Sequence, residues 1–399
     1  MNLQSTPRQL SFVSVLGFLL YCMGACATNP VNPIAATQQQ PASDIARIPA
    51  QENKSPIALP SNSEKQALPL LAMTTVSYHD YDWGEDCLKN VDRIFDEGFR
   101  AIAFSSAFAY KSDADFTIND TQVPSIEKTS RCMEEAVNLG MIAMLKPHVD
   151  GGWRGGYNFD PSKTNYFEKV ILRQLLTISK IKADTHCDKC QYVLFLGTEL
   201  SYSEQNYPQG WLEILNKTKK YLADNGLTQN VHLTQDFMFD ISYAGKKDNR
   251  VLGEYIKGLD SVSLSQYTPM DINGRNPDGV AKALKQSELD VRQYLKDIGV
   301  PNSDSKMINI GEFAICRNLH EPWAYGADLE RKVDDIATGN QGLLKYLRQK
   351  AGATNTTMQF SLYWSVGDAD LLNPPPGYTR LPVADEIEKF NRDASGLNR

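Results

Sequence analysis

Histidine is scarce in this chain, with five in 399 residues. A metal-dependent barrel hydrolase wants a His-x-His pair at its first strand and further histidines at later ones. The early stretch Tyr78-His79-Asp80 lacks that pair. Positive charge is also short: 41 Lys and Arg against 48 Asp and Glu leave a net charge of −7. With no basic stripe, nothing supports a nucleic-acid partner. No Gly-x-Gly-x-x-Gly turn opens a helical segment, which removes the dinucleotide folds. Cys187-Asp-Lys-Cys190 has no second cysteine pair at zinc-ribbon spacing, and His186 lies too close in sequence to complete a site.

What is present begins with a leader. Arg8 precedes the apolar run Phe12–Tyr21, which is too short to span a bilayer comfortably and reads as a signal-peptide core. It ends in Met23-Gly24-Ala25-Cys26, which resembles a bacterial lipobox and implies removal of residues 1–25 and lipidation of Cys26. Ordinary cleavage near Ala25 is the alternative; both export the protein. Residues 26–69 are rich in Asn, Pro, Gln, Ala and Ser and can bury no core, so they form a flexible tether. Export permits disulfides. Beyond the leader the cysteines are Cys87, Cys132, Cys187, Cys190 and Cys316, an odd number. For Cys187 and Cys190 a local disulfide or spectator thiols are expected ahead of metal or redox chemistry.

From residue 70 to the end, short apolar runs alternate with longer amphipathic segments. The runs are 70–78, 101–108, 141–146, 192–196, 231–234, 261–266, 307–310 and 358–364; the helical stretches include 87–97, 125–139, 166–181, 211–225 and 284–298. Gly98, Gly140, Gly226 and Gly299 stand just past helical stretches, where a left-handed cap is usual. Strands alternating with helices predict a parallel sheet, and eight such units predict an α/β fold of the (β/α)₈ barrel type over 70–399.

Chemistry in such a barrel sits at the C-terminal strand ends. Read in order, those ends offer His79, then Ser105 and Ser106, then Lys146, His148 and Asp150. Thr198-Glu199, Gln235-Asp236, Gln266-Tyr267, Glu312 and Trp364 follow. Solubility alone does not require this density of His, Glu, Tyr and amide. All five tryptophans fall at or after these ends, and Trp153, Trp323 and Trp364 suit the flat apolar face of a pyranose. Trp211 serves equally as a loop-packing residue.

Glu199 closes the fourth run in Leu196-Gly-Thr-Glu199-Leu200, and Glu312 closes the seventh in Gly311-Glu-Phe313. Glycoside hydrolysis needs such a pair, one carboxylic acid for the leaving oxygen and one carboxylate at the anomeric carbon. With Leu145-Lys-Pro-His148-Val-Asp150 and Tyr363-Trp364, these motifs resemble the clan of retaining (β/α)₈ glycoside hydrolases, and within it glycoside hydrolase family 113, which includes endo-β-1,4-mannanases. The resemblance spans roughly residues 70–392. It implies Glu199 as acid/base, Glu312 as nucleophile, Tyr267 as hydrogen-bond partner of the nucleophile, and Trp364 as the platform under the −1 sugar. Lys146 and His148 fall where that family binds substrate. Thr198 departs from many members of the clan, which carry Asn there for the sugar 2-hydroxyl.

The expectation is therefore a monomeric retaining β-glycosidase, endo-acting on a mannan-like glycan and tethered to the cell envelope. It needs no cofactor, because two carboxylates suffice. A non-catalytic glycan-binding or envelope-assembly lipoprotein on the same barrel is the alternative.

Overall fold

The computed structural model describes residues 68–77, 83–110, 118–119, 123–150, 157–238, 249–269, 276–316, 329–350, 360–363, 379–380 and 382–395. The expected leader with Cys26, most of the tether, and His79, Trp153, Trp323 and Trp364 lie outside these residues. So do the side chains of Asp150 and Tyr267.

Eight parallel strands close on themselves. They are β1 Leu70–Ser77, β2 Ala101–Tyr110, β3 Ile142–Asp150, β4 Tyr192–Thr198, β5 Val231–Phe237, β6 Ser261–Pro269, β7 Met307–Cys316 and β8 Phe360–Tyr363. Each pairs with the next, and β1 pairs with both β2 (Met73 opposite Ile102) and β8 (Leu70 opposite Phe360), which leaves no open edge between them. A two-residue strand, Ile118–Asn119, lies antiparallel on β2.

The helices are α1 Trp83–Asp96, α2 Ile126–Asn138, α3 Leu172–Thr185, α4 Ser201–Asn206, α5 Pro208–Asp224, α6 Arg250–Gly258, α7 Pro277–Asp297, α8 Leu329–Lys350 and α9 Ala384–Ser395. Ser125, Asn249 and Asn276 each accept an N–H of the first turn of α2, α6 and α7, satisfying donors that have no partner within a helix. The four glycines expected at helix ends all adopt positive φ, between 64° and 86°. Cys187 and Cys190 are joined by a disulfide across the turn between α3 and β4, the first of the two expectations for that pair.

Two apolar layers explain why the strands read as near-continuous hydrophobic runs: both faces are buried. Outward residues such as Tyr192, Leu194 and Leu196 meet the helices, while Ala72, Ala101, Ala103, Ile142, Met144, Val193, Phe195 and Met307 fill a small plug inside the barrel. Small residues on β1 and β2 face larger ones on β3 and β4, so the plug interdigitates. Toward the C-terminal ends the inward positions turn polar.

Candidate active site

Both expected catalytic glutamates follow a break in strand register. Between Phe195 and Thr198, β4 carries one residue more than β5. At Gly311, β7 carries one residue more than β6 and β8. Such bulges re-aim the side chains that follow them. Glycine occupies both for lack of space: a Cβ on Gly197 would press on Gln235 and Trp211, and one on Gly311 would overlap the Asp236 carboxylate.

After its bulge the chain turns sharply at Glu199, whose φ of 59° is left-handed. A non-glycine residue there costs roughly 1–2 kcal/mol, so the turn is held from outside. The Glu199 N–H donates to the Asp236 carbonyl at 2.9 Å. The Tyr166 hydroxyl donates to the Leu196 carbonyl, and Ser201 and Ser203 donate to the carbonyls of Met238 and Phe159. Glu199 is 4% exposed and Glu312 is fully buried.

Around Glu312 the barrel builds an ion cluster. The Lys146 ammonium lies 2.5 Å from Glu312 Oε1, 2.5 Å from Asp236 Oδ2 and 2.9 Å from the Gly311 carbonyl oxygen. Its three N–H donors thus have three acceptors. Below it sits the Phe195 ring, 5.6 Å from Nζ to centroid. His148 Nε2 is 3.2 Å from the same Glu312 oxygen, and the Ser265 hydroxyl reaches Asp236 Oδ2 at 3.2 Å. Complete burial pushes the Asp236 carboxyl up to about 7, outweighing the pull of Lys146; Glu312 and Glu199 push the same way. Asp236 Oδ1 and Thr198 Oγ1 are buried with no hydrogen-bond partner among the described residues.

Of the expected site residues, the structure therefore brings together Glu312, Lys146, His148 and Asp236, with Thr198 and Glu199 beside Asp236 on the neighbouring strand. One expectation at the strand ends needs correction. Gln235, expected at the mouth, faces the helices: its amide donates to Glu204 and accepts from the Tyr255 hydroxyl at 3.0 Å. On a strand of period two it cannot share a face with the inward Asp236. For Trp211, which the sequence left equally open to packing, the structure shows the packing role. The residue is fully buried beneath α5 against Phe159, Tyr166 and Tyr255, with its indole N–H on Ser203. The supporting residues Tyr166, Glu204, Tyr255 and Ser265 were not anticipated. Only Glu204, a charge five residues after Glu199 in a buried stretch, carried a signal.

No protein-family model and no curated protein matches the sequence. Among solved structures the chain is similar to a "GH113 beta-1,4-mannanase" at TM-score 0.53 and 17% identity, covering 82% of this chain and 99% of that one. It is similar to the GH113 beta-mannanase AaManA from Alicyclobacillus acidocaldarius in complex with ManMIm at TM-score 0.52 and 15% identity, covering 83% and 99%. A trimodular GH5_4 subfamily endoglucanase follows at TM-score 0.50 and 13% identity, covering 82% and 60%. At such identities the likeness is one of fold, a parallel α/β barrel.

Proposed function

We propose that the protein is a retaining β-glycoside hydrolase that cuts a mannan-like β-linked glycan within the chain. The observation that carries this reading is the pair of enclosed glutamates on bulged strand ends, one of them against a lysine. Glu312, paired with Lys146 and near His148, is held as the carboxylate a nucleophile must be. Glu199, enclosed at the turn after β4, serves as the acid that protonates the leaving oxygen and then as the base that activates water. The Thr198 hydroxyl, with no partner among the described residues, occupies the position at which the resemblance has the 2-hydroxyl read. The fold-level likeness to mannanases favours mannan over other β-glycans.

A panel of mannans, glucans, xylans and peptidoglycan, scored for new reducing ends, tests the reading. Mannan is expected to release oligosaccharides whose first-formed anomer is β, as read by NMR. No cleavage of any glycan, or a first-formed α-anomer, would overturn it.

We infer also that the enzyme works at the cell envelope, held there by a lipid on Cys26. Mass spectrometry of the membrane fraction is expected to find a diacylated peptide beginning at Cys26. A soluble mature protein with an unmodified N-terminus would refute the anchor.

A further inference from the structure

Lys146 and Asp236 stood in the sequence as substrate contacts, yet the structure turns both toward protein partners. The Lys146 donors are spent on protein acceptors, and Asp236 lies behind Gly311 rather than at the lip. Asp236 is nevertheless joined to both glutamates. Through its main-chain carbonyl it holds the N–H of Glu199, and through its carboxylate it holds the ammonium that touches Glu312.

We propose that Asp236 is a positioning residue that couples the two glutamates, its carbonyl fixing the turn at Glu199 and its carboxylate clamping Lys146 against Glu312. This rests on the glycosidase reading for its kinetic consequences and on the geometry alone for its structural ones. The charged and titratable groups around Asp236 are Lys146 and His148 from β3, Glu199 after β4 and Glu312 from β7, with the Ser265 hydroxyl from β6. Asp236 and Glu312 thus share one ammonium, and the charge of Glu199 acts on Asp236 as well. Whichever proton or charge Asp236 carries acts on both of the others.

Two consequences separate positioning from substrate binding. As pH rises through about 7, Asp236 ionises in the fold. Its new negative charge repels ionisation of Glu199 and so keeps the acid protonated to higher pH. The second concerns stability. The carboxyl's proton affinity is higher in the fold than in the unfolded chain, where its value is near 3.8. The stability it supplies is therefore full below about pH 4 and is lost as pH climbs through about 7. Without Lys146, two buried carboxyls face each other with no ammonium between them and that loss steepens.

The test uses the full chain with Asp236→Asn, Lys146→Gln and the double variant. On a glycan that the wild type cleaves, Asp236→Asn is expected to lower kcat about tenfold, the order of one misplaced catalytic group, with KM within about threefold. Its alkaline limb is expected to move about one pH unit lower, as one charge at this range commands. An unchanged profile, or a loss carried by KM alone, would overturn the inference while leaving the glycosidase reading in place. Thermal unfolding needs no substrate. Lys146→Gln is expected to melt far lower at pH 8 than at pH 5, and adding Asp236→Asn is expected to restore much of the alkaline loss. If the double variant melts no higher than Lys146→Gln at pH 8, the clamp does not exist, whatever the glycan assay shows.

Discussion

Glu312→Ala is expected to lose about 10⁴-fold or more in kcat on every substrate, because no covalent glycosyl-enzyme can form without the carboxylate. The loss is not one of folding. Lys146 keeps Asp236 Oδ2 and the Gly311 carbonyl as partners, so the cation does not become an unpaired buried charge. A methyl group at 312 also keeps the bulged strand that positions it. Circular dichroism should show the wild-type fold, with a melting temperature changed by a few degrees at most for about 1 kcal/mol. Azide admitted to the space left by the carboxylate should attack the anomeric carbon from that face and give an α-glycosyl azide from a β-linked substrate with a good leaving group. Near-wild-type turnover by Glu312→Ala would end the nucleophile assignment.

The barrel was legible because each of its signals is local. Runs such as Tyr-Val-Leu-Phe-Leu at 192–196 are apolar at every position only when both faces are covered, and the described strands have that double burial. The observed strands run further than the apolar letters, from Met307 to Cys316 rather than to Ile310 and from Ile142 to Asp150 rather than to Lys146. Polar residues at the C-terminal ends stay in the ladder because the barrel interior, not solvent, receives them.

What was illegible depended on register. Alternation places Gln235 and Asp236 on opposite faces, but a list of strand-end residues does not say which of them looks inward. The answer comes from Lys146 on β3 and Gly311 on β7, both distant in sequence. The extra residue in β4 and in β7 breaks the period of two just before each glutamate, so counting along the strand could not place Glu199 or Glu312. The Gly in Gly-Thr-Glu and in Gly-Glu-Phe was the visible trace of those bulges. Trp211 was left open between two roles for the opposite reason. It sits near a strand end in sequence, but α4 and the start of α5 carry it over the outside of the barrel, and an aromatic side chain does not announce which layer it will fill.

Glu199→Ala is expected to separate the two chemical steps. Natural glycans, whose leaving sugar needs a proton, should lose about 10²–10⁴-fold, the usual worth of a general acid. Substrates with good leaving groups need no proton and should still form the glycosyl-enzyme on Glu312. That intermediate should then accumulate, since the base that activates water is missing, and a burst equal to the enzyme concentration should precede a slow steady state. Azide, which needs no base, should release it as a β-glycosyl azide, opposite in configuration to the product from Glu312→Ala. The backbone supplies an internal check. Alanine in the left-handed turn at 199 carries much the same strain as glutamate, and the N–H to the Asp236 carbonyl is retained, so the turn should persist. Glu199→Gly would relieve that strain and is expected to fold at least as stably while showing the same kinetic pattern. If alanine and glycine differ in the chemistry, or if the azide products of the two glutamate variants share one configuration, the division of labour between β4 and β7 is wrong.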